Sequence, residues 1–92
     1  MPALIRAAKV QKKAAEVGFD WNDAQGALDK IREETDELTE AGNRTEVTEE
    51  LGDLLFSIVN AARFFKVDPE DALNMATKKF IRRFAYIEDR SL

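Results

Sequence analysis

The sequence predicts an all-α protein, a bundle of four short helices. Three observations carry this. Apolar residues keep helical spacing for five turns between Val47 and Phe65. Turn and cap residues fall between the candidate helices, at Gly18, Asn22-Asp23, Gly42-Asn43 and Asp68-Pro69. Alternating strand patterns are nearly absent.

The first helix is expected over Leu4 to Val17, a stretch without breakers in which Leu4, Ala7, Ala8, Ala14 and Ala15 share much of one face. Gly18 supplies a left-handed stop. After the linker Phe19-Asp20-Trp21, Asn22 and Asp23 offer the N-cap of a second helix that runs to about Ala41, where Gly42-Asn43 closes it. Thr45 is the expected cap of the third helix, whose stripe is Val47, Leu51, Leu54, Leu55, Ile58, Val59, Ala62 and Phe65. Asp68 at the cap and Pro69 at the first helical position open the fourth, which carries Met75, Phe80, Phe84 and Ile87. Four helices with short turns and one apolar stripe each describe a bundle completed within the chain or by dimerisation. Residues 1–92 read as one domain without internal repeats.

Composition narrows the chemistry. At 92 residues the chain is at the small end for a self-sufficient core, so a partner subunit is expected. With 45% hydrophobic and 35% charged residues it is too apolar for a disordered acidic chain and too charged for a membrane protein. The longest uncharged apolar run, from Leu54 up to Arg63, falls far short of the ~20 residues that cross a bilayer, and no secretory signal is expected, so a cytoplasmic location follows. The absence of cysteine and histidine removes disulfides, thiolate zinc sites, His-ligated metals and Cys-His or Ser-His nucleophiles. Carboxylates, lysines and arginines remain. A net charge of −4 argues against nucleic-acid binding and favours small-molecule and protein partners.

The carboxylates are placed unusually. Glu33-Glu34-Thr35-Asp36-Glu37 lies on the second helix and Glu49-Glu50-Leu51-Gly52-Asp53 on the third, so that Glu34 with Glu37, and Glu50 with Asp53, are acids three apart on one face. Glu34 falls in the row Ala27, Ile31, Glu34, Leu38, and Glu50 lies between Val47 and Leu54, so each borders a stripe that should be buried. Four carboxylates converging between packed helices repel one another and lose hydration, a cost that a divalent cation offsets, and hard oxygen ligands suit Mg²⁺ or Mn²⁺. The competing reading is solvated helix surface, and it is kept for Glu33, Asp36, Glu40, Glu46 and Glu49. Gly52 costs roughly 1 kcal/mol of helix propensity relative to Ala, which implies close approach there by a helix or a ligand.

The basic and polar candidates each carry two readings. Lys30 precedes Glu34 by one turn and Lys79 precedes Arg83 by one turn, so each can serve a bound phosphate or simply pair with its own helix. Lys9, Lys12 and Lys13 read as surface. Trp21 either stacks on a nucleobase or plugs the core. Asn60, among Ile58, Val59, Ala61 and Ala62, needs a polar partner across an interface or on a ligand.

These residues resemble the MazG nucleotide pyrophosphohydrolases, relatives of the all-α dimeric dUTPases. Glu33-Glu34-Thr35-Asp36-Glu37, a spacer of 12 residues and Glu50-Leu51-Gly52-Asp53 look like the family's EExxE…ExxD signature. Lys9 to Lys13, Val17 to Trp21, Glu50 to Phe56, Val59 to Arg63 and Lys79 to Phe84 are similar, in order, to the C-terminal catalytic domain. The resemblance implies Glu34, Glu37, Glu50 and Asp53 as Mg²⁺ ligands, with Mn²⁺ as a substitute, and Lys30, Lys79 and Arg83 on the triphosphate. It implies a homodimer, with pairing into tetramers left open, and hydrolysis of a nucleoside triphosphate to monophosphate and pyrophosphate. Full-length relatives often hold two such domains, and this chain resembles the second of them.

Metal-assisted attack by water fits this residue inventory, with a glutamate of the first motif accepting the water's proton and Lys79 and Arg83 stabilising phosphate charge. The rival expectation is a noncatalytic dimerisation or regulatory module that keeps the same helices.

Overall fold

The computed structural model describes the backbone of residues 1–91 and the side chains of residues 1–88. It contains α1 (Ala3–Glu16), α2 (Ala24–Glu40), α3 (Arg44–Phe64) and α4 (Pro69–Ser91), with no strand among the described residues. No helix of the described residues is long and apolar enough to cross a membrane.

The helix ends follow local chemistry. α1 stops in a Schellman turn in which Gly18, at φ 88°, donates to Ala15 O while Phe19 donates to Ala14 O. Asp23 caps α2 by accepting the Gly26 amide at 3.1 Å. The expected cap at Thr45 is corrected: α3 begins two residues earlier. Asn43 Oδ1 accepts the Glu46 amide at 2.9 Å, and Glu46 Oε2 reaches back to the Gly42 amide at 2.7 Å. Reciprocity of the capping-box kind decides the matter, because it satisfies two amides where Thr45 would satisfy one. Glu46 is therefore a capping residue as well as an exposed one. Asp68 caps α4 through the Glu70 amide at 2.8 Å, as its position before Pro69 implies.

α3 ends in the same turn as α1, Lys66 donating to Arg63 O and Val67 to Ala62 O, but here a lysine takes the left-handed position at φ 57°. A Cβ in that region costs about 1–2 kcal/mol, partly recovered by the lower unfolded-state entropy of a non-glycine residue. Lys66→Gly is expected to stabilise the chain by about 0.5–1 kcal/mol. A urea titration should show a higher midpoint at unchanged slope, and a lower midpoint would contradict this account of the turn.

α2 and α3 form the dominant helix pair, an antiparallel hairpin closed at Gly42-Asn43, and α1 packs on α3. Gln11 sits at that second seam, 5% exposed, donating from Nε2 to the Phe56 carbonyl at 2.9 Å. The core is small: among the described residues Ala27, Val59 and Ala61 are its buried apolar residues, and no large side chain is fully buried.

α3 differs from the single stripe expected of it. Its buried seam includes Ser57, Val59 and Ala61, while Val47, Leu51, Leu55, Ile58 and Phe65 of the expected stripe remain exposed. α4 packs chiefly on α1 and leaves Leu73, Met75, Phe80 and Phe84 in the open, the two phenyl rings stacked on each other at 6.3 Å. One chain thus forms the seam of a bundle without closing it.

Candidate functional site

The acidic site is a product of the hairpin. Glu34 and Glu50 lie eight residues on either side of Gly42, so an antiparallel pair closed there sets them opposite each other. The row Ala27, Ile31, Glu34, Leu38 turns toward α3: Ala27 is buried, Ile31 and Leu38 are half-buried, and Glu34 is 4% exposed. Glu37 and Asp53 follow one turn along their own helices and are exposed, with Glu50 half-buried between them.

One carboxylate oxygen each from Glu34, Glu50 and Asp53 lies within 4.8 Å of the others, and the same holds for Glu33, Glu34 and Glu37. Glu34 belongs to both groups and is their centre. Glu33, read from sequence as surface, is thus drawn into the cluster at its exposed edge.

The electrostatics show the strain of this placement. Glu34 Oε2 and Glu50 Oε2 are both buried without a hydrogen-bond donor. Loss of hydration, the neighbouring Glu37 carboxylate and the charges of Asp53 and Glu34 push the Glu50 carboxyl up to about 7. What meets Glu50 at its side is another acceptor, so the Glu37–Glu50 contact is a hydrogen bond only when a proton sits between them. The cation at hand is Lys30, whose Nζ lies 3.0 Å from Glu34 Oε1 and 3.3 Å from Glu33 Oε1. Glu34 is the main reason the Lys30 ammonium is held above its ordinary pKa.

Acceptor-only oxygens, two of them buried and unpartnered, crowded on four acids and relieved by one lysine, fit a hard divalent cation such as Mg²⁺ or Mn²⁺. Zinc and copper would want nitrogen or sulfur donors, and the chain has no His or Cys.

The remaining sequence candidates are more dispersed. Lys79 and Arg83 lie exposed on α4 beside a shallow depression shared with Arg82 and Tyr86, and neither bonds to the four carboxylates among the described residues. Trp21 rests on the first turn of α2, where a Cβ added to Gly26 would come within 3.3 Å of it, and 45% of its surface stays exposed. It is not a core plug. Asn60 finds its partner within the chain: its Oδ1 accepts from Arg63 Nε at 3.0 Å and Nη2 at 2.7 Å, and Arg63 Nη2 also reaches Asp20 Oδ1 at 2.7 Å. This bridge ties the α1–α2 linker to the end of α3.

No neighbouring atom approaches within 4 Å of a Cβ built on Gly52, so no helix among the described residues explains that glycine, and close approach by a ligand is the reading that remains. Lys9, Lys12 and Lys13 are exposed, as their surface reading expects. Lys9 and Lys12 line an apolar groove of about 300 Å³ between α1 and the start of α4, which contains none of the four acids. Gln11 was missed altogether, although its place in the row Leu4, Ala7, Ala8, Gln11, Ala14, Ala15 marks it as a polar residue on a buried face.

Comparison with known proteins adds an independent line. A family model described as the MazG nucleotide pyrophosphohydrolase domain matches residues 22–87, which include all four carboxylates, Lys30, Asn60, Lys79 and Arg83, with Trp21 just outside. The chain is 54% identical over 89 residues to the Nucleoside triphosphate pyrophosphohydrolase/pyrophosphatase MazG of Thermotoga maritima, covering 97% of this chain and 35% of the relative. It is 44% identical over 93 residues to the Nucleoside triphosphate pyrophosphohydrolase of Escherichia coli, covering 96% and 35%. It is also 51% identical over 51 residues to the Uncharacterized protein YabN of Bacillus subtilis, covering 55% and 10%. The chain spans about a third of the length of the first two relatives.

Proposed function

We propose that this chain, which belongs to the MazG nucleotide pyrophosphohydrolase family, hydrolyses nucleoside triphosphates to monophosphate and pyrophosphate at a divalent cation held by Glu34, Glu37, Glu50 and Asp53. The observation that carries this reading is the pair of buried, donorless oxygens on Glu34 of α2 and Glu50 of α3, in a cluster that the Asp53 carboxylate joins. Mg²⁺, or Mn²⁺ in its place, supplies charge neutralisation at the phosphates and acidifies water.

The chain's own residues do the rest. Glu34 and Glu50 anchor the site from the seam. Asp53 and Glu37 form its mouth, and Glu37, exposed beside Glu34, has room to accept a proton from the attacking water. Trp21, with one side on Gly26 and the other toward solvent, offers a stacking surface for the base. The Asn60–Arg63–Asp20 bridge fixes the linker that carries Trp21.

Lys79 and Arg83 hold the outer phosphates, and a second copy of the chain brings them there. Exposed apolar residues on α3 and α4 support a homodimer in which each α4 meets the other chain. A cytosolic setting, where nucleoside triphosphates are made and used, belongs to the same reading.

A panel of ribo- and deoxyribonucleoside triphosphates assayed for pyrophosphate release with Mg²⁺ and with EDTA tests this. Turnover should require the cation. Arg83→Ala should raise KM and lower kcat/KM by about 10- to 100-fold, the loss of one charge-assisted phosphate contact, with the metal requirement unchanged. Unaltered kinetics in Arg83→Ala would remove α4 from the substrate site.

A further inference from the structure

Lys30 is placed between two glutamates of opposite character. Its side chain is 35% exposed; that of Glu34, 3.0 Å away, is 5% exposed, and that of Glu33, 3.3 Å away, is 57% exposed. Glu34 Oε1 is thus neutralised by Lys30 while its Oε2, buried, faces no donor. A divalent cation gripped by Glu34 and an ammonium on the same carboxylate are like charges a few ångströms apart at a poorly hydrated site, where screening is weak. They compete. Glu33 gives the displaced ammonium a second partner one residue away, at the solvent edge, so Lys30 can leave Glu34 by rotating its own stem and without moving α2.

We propose that Lys30 and the divalent cation trade places on Glu34, and that the ammonium released by this exchange becomes the one that meets the nucleotide's phosphates. Lys30 then couples the two ligands. The cation frees the lysine for phosphate, and phosphate, by holding the lysine away, frees Glu34 for the cation. Each ligand must raise the affinity of the other by the same factor. This rests on the reading of the carboxylates as a cation site. It goes beyond that reading by making Lys30 an antagonist of the cation when nucleotide is absent.

The test counts free Mn²⁺ by electron paramagnetic resonance during titration of the protein, with and without an α,β-methylene nucleoside triphosphate that is not hydrolysed. Without nucleotide, Lys30→Met should bind Mn²⁺ about 5-fold or more tightly than the wild type, and it should lose most of the gain that nucleotide gives the wild type. Arg32→Met removes a charge from the same helix, one paired with Asp29 at 2.7 Å, and should change neither value. Equal or weaker Mn²⁺ binding by Lys30→Met, with binding intact in the wild type, overturns the exchange alone. An equal gain in Arg32→Met overturns it as a general effect of charge. No Mn²⁺ binding by the wild type overturns the cation reading together with the exchange. A measurement on the wild type covers the case in which Lys30→Met fails to fold. Mg²⁺ should speed acylation of Lys30 by a small activated ester, relative to Lys9, as read by mass spectrometry, and the nucleotide analogue should then protect it. An unchanged Lys30 rate at saturating Mg²⁺ overturns the proposal.

Discussion

Glu50→Gln is expected to abolish cation-dependent turnover, by ~100-fold or more, and to raise the melting temperature of the protein in EDTA. The two effects have one cause. Glu50 is pressed against Glu37, Asp53 and Glu34 with one oxygen out of water, which lifts its carboxyl from an ordinary 4.5 to about 7. Its protonated form is therefore the one the fold prefers. In chelator, the stability tied to this preference is fully present below pH 4.5, declines as pH rises toward 7 and is gone above it. Glutamine keeps the shape and never ionises, so the variant's advantage should grow between pH 5 and 7 and then level off. Thermal melts followed by circular dichroism at pH 5 and pH 8 in EDTA measure the first half. Pyrophosphate release at saturating Mg²⁺ measures the second, where Asp53→Asn should match it. Turnover near the wild-type level in either variant would remove that residue from the ligand set.

How much of this was legible in the sequence varies by element, for physical reasons. Helix ends were readable where one residue decides them: Gly18 at positive φ, Asp23 at a cap, Asp68 before Pro69. The start of α3 was misplaced because Thr45 and Asn43 can both cap, and the choice is made by the carboxylate of Glu46 reaching back to Gly42. The inward turn of Glu34 followed from its row, since periodicity encodes faces. Its meeting with Glu50 was implicit in their equal distance from Gly42. Gln11 escaped because its partner is the Phe56 carbonyl, and a main-chain acceptor leaves no mark in sequence. The Asp20–Arg63 pair, 43 residues apart, escaped because local spacing says nothing of distant neighbours. The same limit applies to α4: its pattern showed an apolar face, but a pattern does not name what the face meets, and within one chain it meets little.

Phe84→Asp is accordingly expected to split the protein into monomers. Phe80 and Phe84 stack on the exposed side of α4, and Leu51, Leu55 and Ile58 are open on α3. Burying one such side chain contributes about 1.5–3 kcal/mol, and truncation of a central aromatic anchor in an interface costs about 2–4 kcal/mol. A carboxylate in its place adds a desolvation penalty. Static light scattering at micromolar concentration should give twice the 10.4 kDa chain mass for the wild type and a single chain mass for the variant. Activity should fall with the dimer, because Lys79 and Arg83 reach the carboxylates from the other copy in this account. A wild-type protein that is folded and monomeric at 10.4 kDa would contradict it.

The central claim concerns which bond breaks. In the proposed reading the carboxylates of α2 and α3 would hold the cation, which would neutralise phosphate charge, and the basic residues of α4 would hold the outer phosphates, so that water would attack the α phosphorus with pyrophosphate leaving. Hydrolysis in ¹⁸O-labelled water, followed by mass spectrometry of both products, tests this directly. The account predicts the label in the nucleoside monophosphate and none in pyrophosphate. Label found only in pyrophosphate would contradict the direction of attack, and release of orthophosphate with a nucleoside diphosphate would contradict the proposed reaction itself.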